Sequence, residues 1–369
     1  MISAVSWVSA RWTRVVPLLA ILALVAVWGR ELPGPAVTVA ALVLAGAVLA
    51  AVHHAEVIAH RVGEPYGSLV LAVAVTIIEV GLIVTMMVTA GESKAALARD
   101  TVFAAVMITC NGIFGLALLV GALRRRVAVF NAEGTGAMFA TVATLATLSL
   151  VLPTFTTSAP GPQFAPAQLF FAATAALTLY GLFVATQTVR HRDYFLPVTQ
   201  DGQIINDADD DDHADPPTRS DALRSLVLLL VALVAVVGLA KSISPAIEHG
   251  VASAGLPAAV VGVVIAMLVL LPESIAAVRA ARRDRVQTSL NLALGSAMAS
   301  IGLTIPAVAV ASYWLDDRLI LGLGSTHIVL LAITVAVGTL TIMPGRATPL
   351  QGGVHLSLLS AYLVLAVSP

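Results

Sequence analysis

Residues 66–90 read YGSLVLAVAVTIIEVGLIVTMMVTA, an apolar stretch that contains one charged residue, Glu79, near its middle. A stretch of this length crosses a bilayer as a helix, because a spanning helix needs roughly 20 mainly apolar residues. A second stretch, residues 255–279, also contains a single acid, Glu273. A charged side chain at the bilayer centre costs about 2.5–3.5 kcal/mol on insertion scales, so such residues usually face a cavity and serve a function. Glu79 and Glu273 are therefore the first candidate site residues.

The composition places the whole chain in a membrane. Of its 369 residues, 59% are apolar and 11% are charged, and the mean hydropathy is +0.95. These values lie far outside the range of soluble domains. The formal net charge of -1 argues against nucleic acid as a partner. The single cysteine, Cys110, cannot form an internal disulfide.

Eleven stretches satisfy the length rule for a membrane span. They are predicted at about residues 14–30, 35–55, 66–90, 100–123, 135–158, 166–189, 222–243, 255–279, 285–311, 318–343 and 350–368. The first belongs to a leading segment, residues 1–33, with Arg11 and Arg14 ahead of it. No small-x-small cleavage site follows Trp28, which favours an uncleaved helix over a signal peptide.

The loops between these stretches differ in their content of lysine and arginine. Sorting the basic residues by loop parity gives fifteen on one side of the membrane and five on the other. Cytoplasmic loops carry the excess of Lys and Arg in membrane proteins. We therefore expect a cytoplasmic N-terminus and, with eleven spans, an external C-terminus.

One long polar segment, residues 190–221, divides the chain. It carries a run of four consecutive acids, Asp209, Asp210, Asp211 and Asp212. This composition predicts a flexible cytoplasmic linker, with a regulatory calcium contact as the alternative. Five predicted spans precede the linker in residues 34–189, and five follow it in residues 222–369. Because five is odd, the second set enters the membrane from the opposite side, which predicts two inverted five-helix repeats after one leading helix.

The two predicted repeats share a weak sequence pattern. In each, the glutamate is followed by an Asp-x-Val sequence that opens the next helix and then by small polar residues, which are Asn111 in the first repeat and Ser296 in the second. Inverted repeats are the build of many secondary transporters, whose binding sites lie near the membrane midplane. The pattern therefore predicts that Glu79 and Glu273 are symmetry-related members of one transport site.

Two carboxyl groups in a membrane, with no basic residue in the apolar body of any span, favour protons and metal cations as ligands. Calcium takes six to eight oxygens from carboxylates, carbonyls, amides, hydroxyls and water. Desolvation favours the protonated carboxyl group, so an entering cation displaces protons, which is an antiport mechanism. Thr76, Asn111 and Ser296 are candidate supporting ligands, with packing or interhelical hydrogen bonding as the alternative role. His249, His327 and His355 are isolated in the sequence and indicate no function.

Two motifs resemble those of bacterial calcium:proton antiporters in the calcium/cation antiporter superfamily. The first is Ala59-His60-Arg61-Val62-Gly63-Glu64-Pro65-Tyr66-Gly67, which runs into Thr76-Ile77-Ile78-Glu79-Val80, and the second is Leu271-Pro272-Glu273-Ser274-Ile275-Ala276-Ala277. The resemblance implies that Glu79 and Glu273 hold the cation and that Asn111 and Gly295-Ser296 support it. Where the superfamily usually has Gly-Asn-x-x-Glu, this chain has Val75-Thr76-Ile77-Ile78-Glu79 and Val269-Leu270-Leu271-Pro272-Glu273, so two side-chain oxygen donors are missing or weakened.

The combined prediction is an all-α polytopic protein of the bacterial cytoplasmic membrane that exchanges cytoplasmic Ca²⁺ for protons. The reduced set of oxygen donors keeps Na⁺ or K⁺ exchange for protons as the alternative, since these ions need fewer ligands. Ca²⁺ is expected as transported substrate, and no resident cofactor is expected. An intramembrane enzyme is disfavoured because no span contains an activated nucleophile, a metal-binding trio with histidine or paired aspartates.

Overall fold

The computed structural model describes residues 2–30, 32–63, 66–90, 95–198, 217–314 and 319–369, and these ranges are mainly helical. The helices are α1 (Ile2–Val27), α2 (Gly34–Val62), α3 (Tyr66–Ala90), α4 (Leu97–Arg125), α5 (Ala132–Phe155), α6 (Pro166–Arg190), α7 (Arg219–Ser253), α8 (Ala259–Val269), α9 (Leu271–Arg282), α10 (Val286–Ala311), α11 (Ser325–Ile342) and α12 (Pro349–Val367). A short 3-10 helix, Arg192–Phe195, follows α6. Strands β1 (Ala128–Val129) and β2 (Arg346–Ala347) pair antiparallel.

These helices account for the predicted membrane spans. Among the described residues, eight helices are long and apolar enough to cross a membrane, and α8 with α9 form a ninth span bent by 52°. Two shorter apolar helices, Trp12–Val27 within α1 and Val70–Thr85 within α3, coincide with the first and third predicted spans. The all-α polytopic class is therefore confirmed. α7 continues to Ser253, beyond the predicted end at residue 243, because its helical hydrogen bonds extend past the apolar part of the sequence.

In the described part of the chain, three of the spans contain a π-helical turn. These turns are Ile108–Ile113 in α4, Thr147–Val151 in α5 and Thr186–Arg190 in α6. A π-turn inserts one extra residue into a helical turn and is frequent at functional sites. The turn in α4 contains Asn111, one of the predicted supporting ligands.

The chain forms two compact units. The first consists of residues Met1–Ala90 and His213–Val261 and contains α1, α2, α3 and α7. Within it, α7 packs against the three other helices. A β-carbon at Gly238 of α7 would lie 2.6 Å from Leu24 Cδ2, and one at Gly81 of α3 would lie 2.6 Å from Val237 Cγ2. Glycine at these positions allows the helices to approach closely, as small residues do between membrane helices.

A buried histidine also connects helices of the first unit. His54 of α2 hydrogen-bonds through Nδ1 to Ser225 Oγ on α7, at 3.2 Å, and through Nε2 to the Thr13 carbonyl on α1, at 2.9 Å. Only 3% of His54 is exposed. Its two ring bonds satisfy a polar group that would be costly to bury unpaired, so His54 holds α1, α2 and α7 together.

The second unit consists of Gly91–Asp212 and Gly262–Pro369. Its helix α10 packs against α4, α5, α6 and α9, and α12 packs along α4. A β-carbon at Gly352 of α12 would lie 2.7 Å from the Leu119 amide nitrogen of α4. α4 and α12 therefore contact each other almost backbone to backbone. Each compact unit takes helices from both sides of the predicted linker, and the division into repeats at residues 34–189 and 222–369 stays a prediction.

Candidate cation site

Glu79 lies in the middle of α3, in the first unit. It is 4% exposed, and Thr76, one turn earlier on the same helix, is 8% exposed. Residues three apart on a helix lie on the same face. The hydroxyl of Thr76 and the carboxyl group of Glu79 are therefore neighbours on one buried face of α3. Two oxygens must be neighbours in this way to bind the same cation.

Glu273 lies beside a break in its span, in the second unit. The sequence predicted one continuous span at residues 255–279. In the structure α8 ends at Val269, α9 begins at Leu271, and the two helices meet with a bend of 52°. Pro272 accounts for the break, because it has no N–H to bond the carbonyl of residue 268 and its ring clashes with that carbonyl. The Leu270 carbonyl accepts hydrogen bonds from the amide and the hydroxyl of Ser274, at 2.9 and 2.7 Å.

The break changes the local setting of Glu273. Its position is the third residue of α9, in the first helical turn, rather than the middle of a helix. The side chain is partly buried, and its Oε2 atom is fully enclosed. The first turn of a helix presents free N–H groups and a positive partial charge. An acid and a carbonyl released from helical bonding therefore occur together at this break, and both are cation ligands.

Asn111 is fully buried in the π-turn of α4. Its Nδ2 donates to Thr334 Oγ1 on α11 at 3.0 Å, and its Oδ1 bonds His355 Nδ1 on α12 at 3.1 Å. An amide oxygen has two lone pairs, so Oδ1 keeps one acceptor position beyond the bond to His355. Asn111 thus has the interhelical bonds of the alternative role and retains one oxygen lone pair for the predicted ligand role.

Gly295 and Ser296 lie on α10 and are partly buried. A β-carbon built at Gly295 meets no described atom within 4 Å. The described hydrogen bonds do not join Ser296 to Asn111. The structure thus leaves space beside Gly295, while the equivalence of Asn111 and Ser296 in the two repeats stays a prediction.

Two other sequence features have different outcomes. The acidic run Asp209, Asp210, Asp211 and Asp212 lies outside the described residues. Asn291, which is near the candidate ligands in sequence, serves a structural role: it accepts from Gln287 Nε2 at 2.8 Å and donates to the Phe195 carbonyl at 2.7 Å. These bonds connect the start of α10 to the 3-10 helix after α6.

His355 is the residue that sequence reasoning missed. It is 0% exposed, and its Nε2 bonds Thr341 Oγ1 at 3.2 Å. Its side-chain bonding partners are 14 and 244 positions away in the chain, so spacing along the sequence could not reveal them. One signal was available: an ionisable residue within a predicted span is by itself a functional-site hypothesis.

Carboxyl groups inside two membrane spans, with a helix break beside one of them, are typical of secondary ion transporters. The sequence model of the sodium/calcium exchanger protein family matches residues 35–189 and 224–368, and the chain belongs to this family. The resemblance to calcium/cation antiporters is therefore confirmed. The protein is a multi-pass membrane transporter that exchanges cations, and the prediction that it is not an enzyme agrees with the family.

Two relatives and one solved structure illustrate this membership. An ionic transporter named y4hA, from Sinorhizobium fredii, is 46% identical over 97% of this chain and 96% of its own length. The sodium-potassium/proton antiporter ChaA of Escherichia coli is 33% identical over 94% of each protein. The crystal structure of the H⁺/Ca²⁺ exchanger CAX superposes with a TM-score of 0.69 at 14% identity, covering 95% of this chain and 86% of that one. At this identity the likeness to CAX shows the fold.

Proposed function

We propose that this protein is a calcium:proton antiporter of the bacterial cytoplasmic membrane, with Glu79 and Glu273 as the groups that bind both the cation and the protons. The observation that carries this proposal is the placement of a carboxyl group inside a membrane span in each half of an exchanger-family chain. Glu79 is buried on α3, and Glu273 lies at the break between α8 and α9. The two residues belong to different compact units, so their membership of one site rests on the sequence repeat.

The proposed exchange follows from competition for the same oxygens. A carboxyl group removed from water favours its neutral, protonated form. A dication that enters with its charge needs ionised carboxylates, so it releases the protons and takes their place. The inward proton gradient then favours protonation on the external side and cation release there. In a bacterial cytoplasmic membrane this direction of exchange exports calcium.

The neutral ligands proposed for the cation are the predicted supporting residues together with one backbone carbonyl. Thr76 shares a buried face with Glu79, and Pro272 leaves the carbonyl of residue 268 without its helical bond. Asn111 retains one lone pair on Oδ1, and Gly295, which precedes Ser296 on α10, adjoins open space. Carboxylate, amide, hydroxyl and carbonyl oxygens together are the ligand types that Ca²⁺ takes.

Exchange of Na⁺ or K⁺ for protons is the second candidate. Two observations favour it. At the position of the motif's Asn, Leu270 supplies no side-chain oxygen and Thr76 supplies only a hydroxyl, and the 33% identical relative ChaA is named a sodium-potassium/proton antiporter. A smaller ligand set suits ions that need fewer oxygens than calcium does. The fold and the two glutamates would be the same in both cases.

Proton flux measured separately with each cation distinguishes these candidates. The purified protein is placed in liposomes that contain a pH-sensitive dye and an acidic interior, and Ca²⁺, Na⁺, K⁺ or choline is added outside. We expect Ca²⁺ to collapse the pH gradient and choline to have no effect. A response to Na⁺ or K⁺ without a response to Ca²⁺ would select the second candidate.

Charge-neutral variants test the role of the two acids. Glu79→Gln and Glu273→Gln are each expected to abolish the response, because glutamine cannot exchange a proton at its side chain. Glu133→Gln is the matched control, since Glu133 is an exposed acid at the start of α5. Undiminished proton exchange in Glu79→Gln, or the absence of a response to all three cations in the unmodified protein, would contradict the proposed mechanism.

A further inference from the structure

A chain of buried polar side chains connects three helices of the second unit. Each of these side chains is 3% exposed or less. They are Asn111 on α4, Thr334 and Thr341 on α11, and His355 on α12. Burial of a polar group inside a membrane protein is costly unless a partner satisfies it. Each of the four side chains is hydrogen-bonded to at least one of the others, and this row of hydrogen bonds runs from the centre of α4 to the last turn of α11.

The bonding pattern assigns the ring hydrogens of His355. Asn111 Nδ2 donates to Thr334 Oγ1 at 3.0 Å, which places Oδ1 towards the ring of His355, 3.1 Å from Nδ1. An amide oxygen only accepts hydrogen bonds, so Nδ1 carries the hydrogen. The neutral ring then accepts at Nε2 from the Thr341 hydroxyl, at 3.2 Å. Both nitrogens of the neutral ring are satisfied in this arrangement.

The helix packing keeps the ring of His355 against the π-turn. A β-carbon at Gly115 would lie 2.7 Å from His355 Cβ, and one at Gly112 would lie 2.9 Å from Leu359 Cδ2. The ring of Phe114 contacts the imidazole edge to face, with 4.9 Å between centroids. α12 therefore reaches α4 only because glycine precedes and follows this aromatic contact, and the imidazole has little room to turn.

We propose that His355 is a positioning residue for cation transport, which orients the Asn111 amide so that its oxygen, and not its NH₂ group, is available to the cation. The Nδ1–H bond uses one lone pair of Oδ1 and leaves the other, while the bond to Thr334 turns the NH₂ group away. Without His355 only the bond to Thr334 holds the amide, so the amide can turn and present its positive NH₂ end to a cation. This role rests on the proposed function, since it requires that Asn111 contact the ion.

Two other roles for His355 give different outcomes. A purely structural interhelical bond would affect stability and leave cation affinity unchanged. A proton carrier would require the imidazole itself. Substitution of His355 by asparagine separates these possibilities, because the asparagine amide nitrogen replaces Nδ1–H as a donor and cannot carry a proton. The longer glutamine side chain places its amide nearer the position of Nε2 and does not replace Nδ1–H.

The test compares His355→Asn, His355→Gln and His355→Leu in the liposome assay, with Ca²⁺, Na⁺ and K⁺ titrated separately. We expect His355→Leu and His355→Gln to raise the half-saturating cation concentration at least roughly 10-fold, as loss of a ligand's supporting bond commonly does. His355→Asn is expected to stay close to the unmodified protein. His355→Gln keeps a polar group in the cavity, so the comparison survives if His355→Leu fails to fold.

A double variant shows whether His355 acts through Asn111. Cation binding is measured independently of transport, as the rise in melting temperature that each cation causes. We expect Asn111→Ala with His355→Leu to match Asn111→Ala alone, because residues that act through one contact are not additive. Additive losses, unchanged affinity in His355→Gln, or a His355→Asn variant that binds cation but no longer exchanges protons would each overturn this role. If the unmodified protein exchanges no protons with any of the three cations, the proposed function itself fails.

Discussion

Replacement of Pro272 by alanine tests whether the break between α8 and α9 places Glu273 for cation binding. Proline disfavours an unbroken helix at this point by about 3 kcal/mol or more. Alanine removes that penalty and restores an N–H that can bond the carbonyl of residue 268, which is worth about 0.5–1.5 kcal/mol net. Packing of α9 against α10 opposes straightening, so the substitution reduces the bend of 52° to an extent set by these opposing energies.

The structure gives the size of the resulting displacement. Glu273 lies three residues beyond Leu270, which is roughly 4.5 Å along the helix axis at 1.5 Å per residue. Complete removal of the 52° bend would move the backbone of Glu273 by roughly 4 Å, from the same lever arm. Metal ligands must lie within about 0.2 Å of their ideal distance. Partial straightening is therefore enough to weaken binding, and we expect Pro272→Ala to raise the half-saturating cation concentration at least roughly 10-fold.

The assay is proton exchange in liposomes as a function of cation concentration, combined with thermal unfolding in detergent. Pro245→Ala is the matched control, because Pro245 is an exposed proline within the continuous helix α7. Both variants are expected to be as stable as the unmodified protein or more stable, and only Pro272→Ala is expected to lose cation affinity. An unchanged half-saturating concentration in Pro272→Ala would refute the reasoning that the proline break positions Glu273.

Three further substitutions test packing and the candidate site. Gly238→Val is expected to lower the free energy of unfolding by about 1–3 kcal/mol, because a β-carbon at this position would lie 2.6 Å from Leu24 Cδ2. The control Gly250→Ala, whose β-carbon meets no atom within 4 Å, should keep the melting temperature of the unmodified protein, and equal melting temperatures for the two variants would contradict this packing. Gly295→Ala should keep the melting temperature, because its β-carbon also meets open space, and should reduce proton exchange if this space admits the cation; full activity would exclude Gly295 from the site. Asn291→Leu should cost about 1–3 kcal/mol in thermal unfolding by leaving a buried carbonyl unbonded, and an unchanged melting temperature would show that water replaces the bond.

The membrane spans could be predicted from the sequence because the bilayer imposes one simple rule. Every backbone polar group in the hydrocarbon must be bonded within the protein, so an apolar stretch of sufficient length becomes a helix. Residues 132–155 and 166–190 illustrate this, since their helices agree with the predicted spans within a few residues. The end of α7 was missed because helical bonding continues through Lys241 and His249 after the apolar stretch ends.

The local geometry at Glu273 was only partly predictable. A proline at position 272 leaves one helical carbonyl without its donor in any helix, but the bend of 52° depends on how α9 packs against α10 and α4. The π-turn at Asn111 gives no sequence signal, because it depends on the fit between α4 and its neighbours. The partners of His355 lie on α4 and α11, far away in the chain. Contacts between distant segments arise from three-dimensional packing, which the periodicity of one sequence does not contain.

The two acids that looked equivalent in sequence have different backbone surroundings. α3 is helical without interruption on both sides of Glu79, so its carbonyls there are used in helical hydrogen bonds. At Glu273 the helix is broken, and the carbonyl of residue 268 lacks its usual donor because residue 272 is proline. A cation at Glu79 would therefore depend on side-chain oxygens, such as that of Thr76, whereas a cation at Glu273 would have a backbone oxygen beside it. Substitution of Thr76 should accordingly alter ion selectivity more than substitution of the α9 side chains that flank Glu273, where the neighbouring oxygen belongs to the backbone.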